Sequence, residues 1–122
     1  LPQGCSLTVL RRRAEFVALA KEGKKWVTPG LIVQAGTTPK TETGSAIRYG
    51  LTASSKIGNA VIRNRARRRM RALANEILPL HAEAGRDYVL IARATTPSRD
   101  FAELRQDLTT ALHKLGVWRE GA

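Results

Sequence analysis

The clearest alternation in the chain is Ile47-Arg48-Tyr49-Gly50-Leu51-Thr52-Ala53. Ile47, Tyr49, Leu51 and Ala53 share one side, with Arg48, Gly50 and Thr52 on the other, which predicts a half-buried strand. Leu31 to Ala35 follows Pro29-Gly30 and reads as another strand, and Asp87 to Ala92 is apolar on both sides, as a central strand requires. A short extra strand near Trp26 and Val27 is possible. Gly36 to Ser45 is polar and reads as a loop between strands.

Helical periodicity appears in three places. Arg11 to Glu22 has Leu10, Phe16, Val17 and Ala20 for a buried side and Gly23 as its stop. A longer helix runs from about Asn59 to Leu78, with Pro79 expected to end it. The last carries Phe101, Leu104, Leu108, Ala111, Leu112 and Leu115 as a stripe, and Gly116 ends it. Asp100 followed by Glu103 predicts a capping box, with Asp in the Ser/Thr place. The elements compose an α+β fold: a small two-layer α/β sandwich, helices packed on a sheet.

At 122 residues the chain suits one domain. We expect it to span 8–118, after a disordered or processed segment 1–7 and before a tail 119–122. The apolar share, 43%, supports a core, and no run approaches the roughly 20 apolar residues of a membrane span. Without a visible signal peptide the expected location is cytoplasmic. Cys5 is the only cysteine, so no internal disulfide is possible.

Charge changes the picture most. There are 21 Lys and Arg against 10 Asp and Glu, a net of +11. Such an excess attracts polyanions, with nucleic acid the first candidate and an anionic membrane the second. It concentrates between Lys56 and Arg71, which hold seven basic residues and no acidic one. At ~100° per residue, Ile62, Ala66, Met70, Leu73 and Ile77 fall within roughly 80°. Arg63, Arg65, Arg67, Arg68, Arg69 and Arg71 spread around the remainder, with Asn64 among them. Like charges at this spacing repel, and Arg63 and Arg65 sit at the positive end of the helix dipole. The pattern therefore suits a polyanion partner better than an isolated helix. A membrane-surface helix would have a broader, aromatic-anchored stripe.

Catalytic chemistry finds no footing. Gly23, Gly30, Gly44 and Gly58 stand apart, so no phosphate-cradling loop exists. Cys5, His81 and His113 do not have zinc-ligand spacing. Asp87, Asp100 and Asp107 are scattered, whereas two-metal nucleases need converging carboxylates.

Lys56-Ile-Gly-Asn-Ala-Val-Ile-Arg-Asn-Arg65, followed by Arg67-Arg68-Arg69, resembles the signature of the bacterial ribonuclease P protein family. Leu10 to Phe16 resembles that family's first helix, Arg48 to Leu51 its strand before the signature, and Arg86 to Arg93 its last strand. The resemblance covers about residues 8 to 118. It implies an αβββαβα order with a left-handed βαβ crossover, where general rules favour the right-handed form. It also implies that Lys56, Asn59, Arg63, Asn64, Arg65, Arg67, Arg68, Arg69 and Arg71 contact the catalytic RNA. A cleft containing Phe16, Gln34, Arg48 and Arg93 would hold the 5′ leader of precursor tRNA, with Arg11, Arg12 and Arg13 as additional basic residues. Phe16 fits a base-stacking role or plain core. The chain would carry no catalytic residue and bind no cofactor or metal itself. Mg²⁺ held by the RNA would do the chemistry. One monomeric protein would join each RNA, away from membranes. Ala20, Gln34 and Ser55 depart from the family pattern, which often has a second aromatic, a Tyr and a second Lys there. The other readings are a generic basic RNA- or ribosome-associated module and a stand-alone nuclease.

Overall fold

A computed structural model describes residues 7–10, 13–37 and 47–120. Its elements are β1 (Leu7–Val9), α1 (Arg13–Glu22), β2 (Lys24–Val27), β3 (Leu31–Thr37), β4 (Ile47–Thr52), α2 (Ala60–His81), β5 (Arg86–Ala92) and α3 (Phe101–Lys114). The order αβββαβα is present, preceded by a short β1 that periodicity did not predict and whose first residue, Leu7, falls in the segment 1–7 expected to be disordered. The strands form one mixed sheet in the order β1-β4-β5-β3-β2. β4 is parallel to β1 and β5, and β3 is antiparallel to β5 and β2.

β5 lies at the centre, as its two apolar sides require. Tyr88, Leu90 and Ala92 face the main core with Leu31, Val33, Ala35, Ile47 and Tyr49. α2 contributes Ala66, Met70, Leu73, Ala74, Ile77 and Leu78 to that core, and α3 contributes Leu104, Leu108, Ala111 and Leu112. Each large side chain buried there stabilises the fold by about 1.5–3 kcal/mol of transfer free energy. Val89 turns to the opposite face, where it packs with Leu10 and Leu19, and with Phe16 and Ile91. α1 thus covers part of the second face.

Several boundaries differ from expectation. α1 docks through Phe16 and Leu19, whereas Val17 and Ala20 are exposed. The approach is close because β3 and β4 present glycines: a Cβ on Gly50 would lie 2.5 Å from the Phe16 ring, and one on Gly36 would collide with Leu19. α2 runs past Pro79 to His81. The proline lacks only one amide in the last turn, and Ala82 N–H still donates to the Leu78 carbonyl at 3.1 Å. The tail is fastened there as well. Trp118 stacks between His81 and His113 at centroid distances of 4.2 and 4.5 Å, and Arg119 N–H donates to the His81 carbonyl. The capping box on α3 is not formed: Asp100 makes no side-chain cap bond. Glu103 turns instead to the Arg99 guanidinium, 3.4 Å away and four residues back.

Candidate nucleic-acid interface

The basic helix is aimed by the turn before it. Ser55–Ile57 form a short 3₁₀ turn, capped by Ser54 Oγ accepting from Lys56 N–H at 3.3 Å. Gly58 follows at φ 149°, and a Cβ there would press on the Ile62 side chain. The position therefore needs glycine both for its backbone and for space. Asn59 then caps α2, its Oδ1 accepting from Ile62 N–H at 3.0 Å. The cap occupies the Asn59 carbonyl oxygen, so only its amide group can still reach a ligand. Lys56 is exposed beside it.

The arginines of α2 separate into distinct environments. Arg65, Arg68 and Arg71 are exposed with Asn64, and Arg63, Arg67 and Arg69 are half-buried. Among the described residues no carboxylate pairs with Arg63, Arg65, Arg67, Arg68 or Arg71. Arg63 Nε is buried without a hydrogen-bond partner, an unmet donor of the kind that folded proteins rarely leave. Arg67 leans to the β4 end of the sheet, donating to the Asn64 side chain at 3.1 Å and the Ala53 carbonyl at 3.4 Å.

Arg69 is placed differently from expectation. Its guanidinium turns inward and donates to the carbonyls of Thr96 (3.0 Å), Pro97 (2.7 Å) and Arg99. It also lies 5.7 Å from the Phe101 ring centroid. Desolvation, then repulsion from Arg65, lowers its pKa from the ordinary arginine value. Arg69 thus fastens α2 to the loop before α3. It lies on the flank of the helix adjoining the apolar stripe, a position already visible in its spacing from Ala66 and Met70.

Arg48 is also placed differently from expectation. The alternation of β4 put it on the open side of the sheet, but it is buried at 7% exposure. Its Nε and Nη2 donate to the two carboxylate oxygens of Asp87 at 2.9 and 3.0 Å, and Nη2 lies 3.1 Å from Glu15 of α1. This charge cluster ties α1 to the sheet and leaves Arg48 occupied by its own chain.

Where α1, β4 and α2 meet, an open pocket of about 410 Å³ is lined by Arg13, Phe16, Leu51, Thr52, Ala53 and Arg67. Two guanidinium groups and an aromatic ring on one concavity suit a nucleotide, with phosphate on the arginines and base on the ring. The fold thus gathers Phe16, Arg13 and Arg67 into one place, although they come from sequence positions with separate expected roles. Thr52 and Ala53 were not anticipated in the site; Gly50, a glycine inside an alternating strand, was the signal that something packs closely on this face. Gln34 lies on the same face, in register with Val89 and Gly50. Arg93 is exposed beyond the end of β5 and donates to the Thr28 carbonyl at 2.7 Å. Arg11 and Arg12 lie outside the described residues. Among the described residues, no three His, Cys, Asp or Glu side chains are grouped to hold a metal ion. No helix among them is long and apolar enough to cross a membrane.

A sequence profile described as Ribonuclease P matches residues 6–116. The chain is 45% identical over 109 residues to a "Ribonuclease P protein component" of Paramagnetospirillum magneticum, covering 88% of this chain and 82% of that one. It is 42% identical over 113 residues to the protein so named in Erythrobacter litoralis, covering 93% and 87%. Among solved structures, the RNase P protein from Staphylococcus aureus superposes with TM-score 0.75 at 24% identity, covering 91% of this chain and 97% of that one. The RNase P protein from Thermotoga maritima gives 0.67 at 26% identity, covering 83% and 91%.

Proposed function

Because the chain belongs to the ribonuclease P protein family, we propose that it holds the 5′ leader of precursor tRNA against the catalytic RNA while that RNA cuts. As a member it is a protein subunit of ribonuclease P, part of an RNA–protein endoribonuclease, and its partner is the ribonuclease P RNA. The observation that carries the finer reading is the state of α2: among the described residues, no carboxylate neutralises its outward arginines.

Arg65, Arg68 and Arg71, with Asn64 and Lys56, face the phosphates of the catalytic RNA. Arg63, half-buried, and the Asn59 amide group lie at the same helix start. The pocket takes the leader: Phe16 stacks on a base, and Arg13 and Arg67 hold the adjoining phosphates. Gln34 and Arg93 mark the continuation of that surface. By screening repulsion between two RNAs the protein favours the precursor, which has a leader to hold, over the mature tRNA, which has none. Hydrolysis belongs to the RNA, with Mg²⁺ carried there and not by this chain. One monomeric protein joins each RNA, in the cytoplasm.

Reconstitution tests this. The protein alone should leave precursor tRNA intact, and adding it to a bacterial ribonuclease P RNA should stimulate cleavage at low Mg²⁺. Cleavage by the protein alone, abolished by replacing one aspartate, would instead identify a nuclease. Equal binding to any RNA with no stimulation would identify a generic RNA-binding module.

A further inference from the structure

The sheet face that floors the pocket continues to the far side of the molecule. In register, Thr52, Ile91, Ile32 and Val27 form one row from β4 to β2, and Gly50, Val89, Gln34 and Lys25 form the next, whose Gly50 and Val89 are covered by α1. With strands about 4.8 Å apart, each row crosses roughly 14 Å. The floor ends at β2, whose outer side pairs with no described strand.

All four residues of β2 are exposed. Lys24 and Lys25 come first, then Trp26 at 40% and Val27 at 50% exposure. The Lys114 ammonium of α3 lies 5.8 Å from the Trp26 ring centroid. Lysines on an edge strand are a common guard against edge-to-edge pairing, which accounts for Lys24 and Lys25. It does not account for an indole and a valine left open next to them. Lys25 and Val27 end the rows of the pocket face, whereas Trp26, in register with Val33, lies on the opposite face of the same edge with Lys114 beside it. An edge with cations on both faces and an open aromatic ring is what a single strand of nucleic acid turning around it needs, since every base has a face to stack and every link a charge.

We propose that β2 and Lys114 form a second contact for single-stranded RNA, taking up leader nucleotides that have passed the pocket and crossed the sheet. The strand turns around the β2 edge: Lys25 holds a phosphate on the pocket face, a base stacks on the exposed part of Trp26 on the other face, and Lys24 and Lys114 hold the phosphates beside it. The proposal rests on the pocket being the leader site.

The test uses the holoenzyme reconstituted with wild type, Trp26→Ala, Trp26→Phe or the double variant Lys24→Glu/Lys25→Glu. Binding is measured for a precursor whose leader ends within the pocket, for one whose leader runs past β2, and for the catalytic RNA with protein alone. Trp26→Ala should weaken binding of the long-leader precursor about five-fold or more, with the short-leader precursor unchanged. Trp26→Phe should restore most of the loss, and the charge reversal should reproduce it with an unaltered melting temperature. No change in any variant would overturn the proposal. So would a loss independent of leader length accompanied by weaker binding of the catalytic RNA, which would place that RNA at the edge. Failure of the wild-type protein to stimulate the RNA would sink the leader reading itself, a result distinct from both.

Discussion

Replacing Arg48 by Met should destabilise the protein strongly while leaving the proposed phosphate contacts of α2 intact. The Arg48 and Asp87 side chains are 8% and 6% exposed, so the substitution strands the Asp87 carboxylate in a site closed to water. Breaking a buried pair from one side costs about 3–5 kcal/mol. A chain of this length has a total stability of roughly 6–18 kcal/mol, so the loss is a large share of it. Glu15 adds to the effect, because it loses the charge that draws α1 to the sheet; its side chain is 26% exposed and can turn to water. With a urea m-value of about 1.5 kcal/mol/M, the midpoint should fall by about 2–3 M. The double variant Arg48→Met/Asp87→Leu should recover most of that, because neither charge then remains uncompensated. Urea titrations followed by far-ultraviolet circular dichroism give both numbers. Salt dependence of precursor tRNA binding to the reconstituted enzyme gives the control, since each phosphate contact contributes about 0.7–0.9 to the slope. A variant with the wild-type urea midpoint but a slope smaller by one contact would refute the argument and return Arg48 to the leader-binding set.

Three further outcomes follow from other contacts. Gly50→Ala should push Phe16 off β4 and cost about 1–3 kcal/mol; reconstituted enzyme should then discriminate less between precursor and mature tRNA, measured as the ratio of their kcat/KM values. Arg69→Ala should lower stability by about 1–3 kcal/mol through its unsatisfied carbonyl partners, whereas Arg65→Ala and Arg68→Ala should leave the melting temperature within about 2 °C and reduce the salt slope of RNA binding. Burial, reinforced by Glu83, raises the Tyr88 pKa above the ordinary tyrosine value. The unfolded chain therefore releases this proton first, and stability should be full below about pH 10 and decline above it, with a slope approaching 1.4 kcal/mol per pH unit. Tyr88→Phe should flatten that decline in urea titrations across the alkaline range.

The main elements were legible because their periodicities are strong. The double-sided apolar run of β5 announced a central strand, and the α2 stripe of Ala66, Met70, Leu73 and Ile77 is buried as its spacing requires. Element ends were less legible where a tertiary partner decides them. Pro79 does not stop α2, since Ile77 and Leu78 are held in the core. β1 has only three residues and takes its strand form from pairing with β4.

Net charge, the run of arginines and the lack of interspersed carboxylates are properties of the chain alone, and they point to a polyanion as the partner of α2. Which arginines remain available is not such a property. Arg48, Arg65 and Arg69 are the same residue type, yet one is closed by Asp87 and Glu15, one is exposed, and one is consumed by three carbonyls. Those partners lie tens of positions away along the chain, and only folding brings them within hydrogen-bond reach. The pocket has the same origin: Arg13, Phe16, Thr52 and Arg67 become neighbours because two glycines let α1 sit close to the sheet. Local sequence sets periodicity and charge, but the partner of each charge depends on long-range packing.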